Sequence, residues 1–388
     1  MKQVKFIISI IAAVMLTFPA EAQIRVEASE TVELMSILSR TAGFLEYCMD
    51  AGGQYTEDTE KWFAPFEEHP ISEYYQGLRN NYGIAYDAVM NMAINLEADG
   101  KQVKLLGDKQ SLERRWKEVD LDTFLVKLNQ FYTDTRFHEF YQNHQQFYEE
   151  VLRTYEANVM QYFHQDWYAR FYGIEPKDIF HVVIGFTNGG GNYGPSRKFA
   201  GQPKEVFAIC GYYINPGTDK AYENGLDYAS TLIHEFNHSF VNYLYKDNST
   251  ALDPIGQELY NLSAFSMRNQ AYSNGETIIN ESIVRAAVIM YMRDNGFSAE
   301  QIEEELYDQV SRNFHWMPEL VTSLQNYAKN RKRYPTLADY YPEIAKCLNK
   351  YITGETKRIM KTADFSRKKR TLFCCSLLVR YLFLTMPT

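Results

Sequence analysis

Residues Gly225 to Tyr245 constrain this chain most: the stretch is amphipathic, free of proline and reads as one continuous helix, and it carries His234-Glu235-Phe236-Asn237-His238. Residues four apart on a helix lie almost above one another, so both imidazoles leave one face and can grip one metal ion. Glu235 projects beside that face, where its carboxylate reaches a water without ligating the ion. Leu232, Ile233, Phe236, Phe240 and Val241 surround the motif with apolar bulk, and polar groups buried among them need a partner. The spacing predicts a Zn2+ site that includes His234 and His238, with metal-assisted hydrolysis as its chemistry. His138-Glu139 starts the same way, but its next histidine, His144, faces elsewhere on a helix, so that pair reads as surface.

Catalytic zinc normally takes three protein ligands and keeps one position open. A helix predicted over Glu276 to Asn295 is among the most apolar in the chain, and Glu281 follows Asn280 inside it. An ionised carboxylate there is costly without a cation or a metal, which makes Glu281 the strongest candidate for the third ligand. An ion pair with Arg285, four residues on, is the competing account, and the two combine where an arginine orients a ligating carboxylate. Glu276 is turned about 140° from Glu281 and reads as a helix-start residue. His315, Asp253 and Glu258 are the remaining alternatives. The extended metzincin pattern is excluded, because Val241 and Leu244 stand where it needs glycine and histidine.

Lys2 and Lys5, the apolar run Phe6 to Phe18 and Ala20-Glu21-Ala22 before Gln23 have the three regions of a secretory signal peptide, so residues 1–22 are expected to be removed on export to a periplasm or the outside. With a net charge of −9, the chain is a poor partner for nucleic acid. Of its five cysteines, Cys48, Cys210 and Cys347 are scattered and Cys374-Cys375 are adjacent, which suggests no disulfide framework. The 30 tyrosines and 24 phenylalanines predict a large aromatic core. The hydrophobic end, Leu372 to Met386, is short for a membrane span and interrupted by Arg380, so no stable membrane anchor is expected.

Four regions are expected: the leader over 1–22, a helical region over 23–172, the metal-binding region over 173–352 and a tail over 353–388. Helices are predicted from Leu34 to Leu45, from Gly77 to Leu96 and, as one or two long ones, from Leu121 to Tyr172. Gly173 and Pro176 then introduce two strands, Ile179 to Phe186 and Val206 to Tyr213. Between them, Gly189-Gly190-Gly191-Asn192-Tyr193-Gly194 matches a dinucleotide-binding pattern in form only, because Pro195 and the following loop replace the required helix. A flexible hairpin loop at a cleft rim is expected there, with an edge strand around Val182 to Thr187 able to pair with an extended peptide. After the metal helix, a polar loop over Asp247 to Gly256 is expected, then a helix from Gln257 to Asn269. Ser298 and Gln301 form a capping box that opens another helix, Glu300 to Val310.

Through His234-Glu235-Phe236-Asn237-His238 and Asn280-Glu281 the chain resembles the zincin metallopeptidases, and among them the glutamate-ligated gluzincins. It also resembles a family of secreted bacterial proteins carrying a domain of unknown function, through its H-E-F-N-H-S-F and N-E-S-I-V-R segments, Ala64-Pro65-Phe66 and Gly83-Ile84-Ala85-Tyr86-Asp87. The gluzincin resemblance implies His234, His238 and Glu281 on zinc, Glu235 as general base, and a peptide or protein substrate. Two departures from the thermolysin-like pattern imply differently built support around the ligands: the spacing from His238 to Glu281 is longer, and Val284 stands where an acidic residue is usual. Tyr260, Tyr272, Arg285 and His315 are candidates for the donor that stabilises a tetrahedral oxyanion. The expected fold is α+β and mostly helical, with a small sheet before the metal helix and a helical C-terminal part. Two rivals remain at this stage: a zinc-containing binding or adhesion protein without catalysis, and a zinc amidase acting on a non-protein amide.

Overall fold

The computed structural model describes residues 24–358, apart from residue 25, the stretches 50–52, 175–177, 215–221 and 223–224, and residue 271. The leader expected over 1–22 and the greater part of the tail, 359–388, lie outside the described residues. The N-terminal part runs through β1 (Val26–Ala28), α1 (Glu30–Thr41), α2 (Gln54–Phe63), α3 (Pro70–Tyr82), α4 (Asp87–Ala93), the hairpin of β2 (Leu96–Ala98) and β3 (Val103–Leu105), α5 (Arg114–Lys117), α6 (Leu121–Asp134), α7 (Phe137–Asn143), α8 (Gln145–Asn158) and α9 (Asp166–Tyr172). There follow β4 (Ile179–Gly185), β5 (Ser196–Arg197), β6 (Glu205–Gly211), α10 (Gly225–Asn269), α11 (Gly275–Asp294), α12 (Ala299–Ser311), α13 (Met317–Lys329) and a last helix, α14, over 337–358. The fold is α+β and mostly helical.

β4 and β6 are near-continuous apolar runs, the pattern of strands covered on both faces, and almost all of their residues are buried. They pair in parallel, with Val182 opposite Ala208. β1 joins the other side of β4, with Val26 opposite Val182, and β5 runs antiparallel to β6, giving the order β1-β4-β6-β5. The sheet thus draws on residues from both sides of the change of character at Gly173.

This topology corrects two expectations. The glycine-rich segment does not close a hairpin, because parallel neighbours need a return leg. Residues 193–197 are that leg: Tyr193 and Ile209 exchange backbone hydrogen bonds of 2.9 Å, and the Phe207 amide donates to the Pro195 carbonyl. Nor is Val182 to Thr187 a free edge, since β1 and β6 occupy both sides of β4; the edge on the β6 side belongs to the return leg.

Helix boundaries also move. The helix expected over Gly77 to Leu96 is two, with Gly83 ending α3 in the left-handed conformation, and Leu121 to Tyr172 holds four. The loop expected over Asp247 to Gly256 is helical instead: α10 continues through Pro254 and bends only at Ser263 (φ −132°, ψ 18°). Leu252, Ile255 and Leu259 carry its buried stripe onward at helical spacing. Burying such side chains gains about 1.5–3 kcal/mol each, enough to offset the roughly 3 kcal/mol cost of an internal proline.

Packing then fixes how α10 is rolled. Phe236 and Phe240 leave the face opposite His234 and His238, and enter the aromatic core. Phe236 meets Phe180 of β4 edge-on with centroids 4.7 Å apart, while Phe240 stacks on Tyr172 at 4.5 Å. With that face docked, the histidine face must look away from the sheet. Buried Asn237 braces the arrangement, accepting from the Tyr172 hydroxyl at 2.9 Å and donating to the Val284 carbonyl of α11 at 3.3 Å. α10 and α11 approach so closely that a Cβ on Gly275 would come to 2.5 Å from the Gly256 carbonyl carbon. Only a glycine fits there. No helix among the described residues is long and apolar enough to cross a membrane, and Cys210 and Cys347 are free thiols.

Candidate metal centre

The roll of α10 and the closeness of α11 bring three side chains to one point. The Nε2 atoms of His234 and His238 are 3.2 Å apart; Glu281 Oε2 lies 3.6 Å from the first and Oε1 3.4 Å from the second. Donors about 2.0–2.1 Å from a tetrahedral zinc stand about 3.3 Å from one another, so this donor set has the chemistry and the spacing to hold such an ion. His234, His238 and Glu281 are therefore positioned to hold a metal ion.

Two of the three ligand candidates, His238 and Glu281, are oriented from behind. His238 Nδ1 lies 3.1 Å from the Asn242 side-chain oxygen, which only accepts; the ring proton therefore sits on Nδ1 and the Nε2 lone pair faces the cluster. Arg285 Nε donates to Glu281 Oε2 at 3.1 Å, and the Tyr272 hydroxyl donates to the same oxygen at 3.2 Å. Arg285 is in turn fixed by Gln309, at 2.8 Å, and by the Phe314 ring, 5.0 Å from its guanidinium carbon. Arg285, four positions after Glu281 on α11, thus supplies the support behind that carboxylate. The anticipated ion pair and the ligand position coexist.

The electrostatics follow from burial and these neighbours. Burial holds His234 well below the usual imidazole range, with the Glu281 charge opposing. Burial pushes Glu281 up, but His234, His238 and Arg285 together outweigh it and hold the carboxyl down at about 2. Glu235 is pushed up to about 7, chiefly by burial, with His238 opposing and the Glu281 charge adding.

Glu235 is 7% exposed and borders the cluster without belonging to it. A Cβ on Gly194 would come to 3.0 Å from its Oε2, so glycine lets the return leg pass over this carboxylate. Above the three donors opens a cleft of about 1020 Å³, with Gly194 and Ser196 on one wall, Tyr86 and Asp87 on another, and Arg285 and Gln309 beyond Glu281.

Of the four oxyanion candidates, the structure brings Tyr272 and Arg285 to the cleft, where both are engaged with Glu281. Tyr260 packs against the core and His315 is exposed, and neither lines the cleft. Asp253 and Glu258 are exposed on α10, away from the cluster. Glu276 is exposed in the first turn of α11, as the helix geometry required. His138 pairs with Glu30 near the surface. Sequence reasoning passed over Asn242, although its position four after His238 is a signal in itself, and it had no signal for Gln309, which arrives from another helix.

No curated protein and no solved structure matches the chain. A family model does, over residues 23–347, and it carries the description "Domain of unknown function (DUF4932)". The residues that form the three-donor cluster and its cleft lie inside that match, and the chain belongs to this family.

Proposed function

We propose that the protein is a zinc metallopeptidase with His234, His238 and Glu281 as ligands and Glu235 as general base. The observation that carries this reading is the placement of three mutually close donors at the floor of an open cleft, with a fourth, non-ligating carboxylate beside them. A structural zinc is normally enclosed by four protein ligands, whereas a catalytic one keeps a position open. When bound, zinc supplies Lewis-acid polarisation of a carbonyl and makes a water acidic enough to attack near neutral pH. Glu235 accepts the proton of the attacking water at its carboxylate and passes it to the leaving amine. Arg285 and Tyr272 keep Glu281 fixed, and Asn242 keeps the His238 ring in its ligating tautomer.

A polypeptide is favoured over other amides by the edge beside the site. Tyr193 and Pro195 turn their backbone groups toward β6, so by strand alternation Gly194 turns its own toward the cleft it lines. An extended peptide can pair with such an edge. The test is Glu235→Gln loaded with zinc: kcat on a cleaved peptide falls by roughly 10²–10⁴ while zinc content is unchanged. Cleavage at the wild-type rate contradicts the reading.

A further inference from the structure

The segment Gly83-Ile84-Ala85-Tyr86-Asp87 stands out in the sequence and supplies a cleft wall for which the catalytic reading has no use. Tyr86 precedes α4 with φ 50° and ψ −122°, a conformation open to glycine and strained for tyrosine. The hydroxyl of fully buried Tyr47 donates to the Tyr86 carbonyl at 2.8 Å and holds it there. Burial does not compensate for the strain, because Tyr86 remains 48% exposed and lines the cleft. A strained residue kept at a cleft with its ring in solvent points to a ligand.

Its position ties it to the chemistry. The Tyr47 ring stacks on Tyr193 with centroids 6.2 Å apart, and Tyr193 precedes Gly194, which lies over Glu235. The charges around Tyr86 are already matched, Arg79 with Glu46 and Asp87 with Arg115. What this wall offers a ligand is therefore a ring rather than a charge, steadied by the Arg79 guanidinium 5.8 Å from its centroid.

We infer that Tyr86 is a substrate-binding residue that packs against a neutral ring or other large uncharged side chain of the polypeptide, and so selects bonds beside such residues. This inference rests on the peptidase reading. Its test compares zinc-loaded wild type, Tyr86→Gly and Tyr86→Phe on matched peptides with Phe or Ala beside the scissile bond. In Tyr86→Gly the ratio of kcat/KM for the Phe peptide over the Ala peptide falls about tenfold, while Tyr86→Phe keeps it within about twofold. An unchanged ratio in Tyr86→Gly overturns the inference. Thermal unfolding separates binding from packing: glycine suits the backbone, so Tyr86→Gly melts no lower than wild type, and a lower melting point with an unchanged ratio assigns the ring to packing alone. If zinc-loaded wild type cleaves no peptide, the peptidase reading fails on its own. Tyr86 is then read by equilibrium binding of N-acetylphenylalanine amide against N-acetylalanine amide. A preference of about tenfold for the ring, lost in Tyr86→Gly, sustains the subsite, and equal binding overturns it.

Discussion

Glu33 of α1 and Glu281 of α11 are both buried carboxylates on apolar helices, 0% and 8% exposed, and their surroundings drive them in opposite directions. Glu281 faces two imidazoles and a guanidinium, and is held down at about 2. Glu33 faces neutral donors: the Phe186 amide at 2.8 Å, the Thr187 hydroxyl at 2.8 Å and the Tyr55 hydroxyl at 3.0 Å. These hydrogen bonds only partly offset its burial, and its carboxyl is pushed up to about 7. A buried carboxylate is thus no functional signal by itself. One facing cations and lone-pair donors in a cleft is a ligand candidate, whereas one facing hydroxyls and an amide pins the end of a strand, here the turn from β4 into the glycine-rich segment.

The sharpest way to break this comparison is to remove each carboxylate. Glu281→Ala is expected to weaken zinc binding by more than the 10–100-fold typical of supporting residues, read by chelator competition, whereas Glu33→Ala leaves it unchanged. Glu33→Ala instead leaves three buried donors without their acceptor and is expected to cost about 2–4 kcal/mol in urea unfolding. Equal effects of the two substitutions on metal affinity would erase the distinction.

A pH series sharpens it further. The folded-state value of Glu33, about 7, stands above the usual 4.5, so the folded chain keeps a proton that the unfolded chain releases. Its contribution to stability is full below about pH 4.5, shrinks as pH rises and is gone above about 7, a change on the order of 3 kcal/mol. Glu33→Gln cannot ionise, and its urea midpoint relative to wild type should climb across that window. A constant difference would assign the pH dependence elsewhere.

Smaller effects probe the support behind the ligands. Arg285→Met is expected to weaken zinc binding roughly 10–100-fold by freeing Glu281, with Asn242→Ala at or below the lower end because the His238 ring can still ligate through Nε2. Affinity indifferent to Arg285 would mean that Glu281 is fixed by packing alone.

The helix with its two histidines and the buried Glu281 were legible because each is written in local periodicity. The pairing of β4 with β6 was not, since a near-continuous apolar run announces a strand covered on both faces without naming its neighbour. The third strand, Val26–Ala28, is too short to announce itself. Pro254 suggested a break where buried Leu252, Ile255 and Leu259 keep the helix going, a tertiary effect that overrides a local one. Tyr86 and Gln309 reach the cleft from distant segments, so only the folded chain places them there.

Zinc content of the purified wild-type chain beside His238→Ala, by elemental analysis, tests the central claim most directly. About one zinc per wild-type chain, lost in the variant, is the predicted result. A wild type that takes up no zinc even after reconstitution would contradict the metal centre and leave His234, Glu235 and His238 as an ordinary polar helix face.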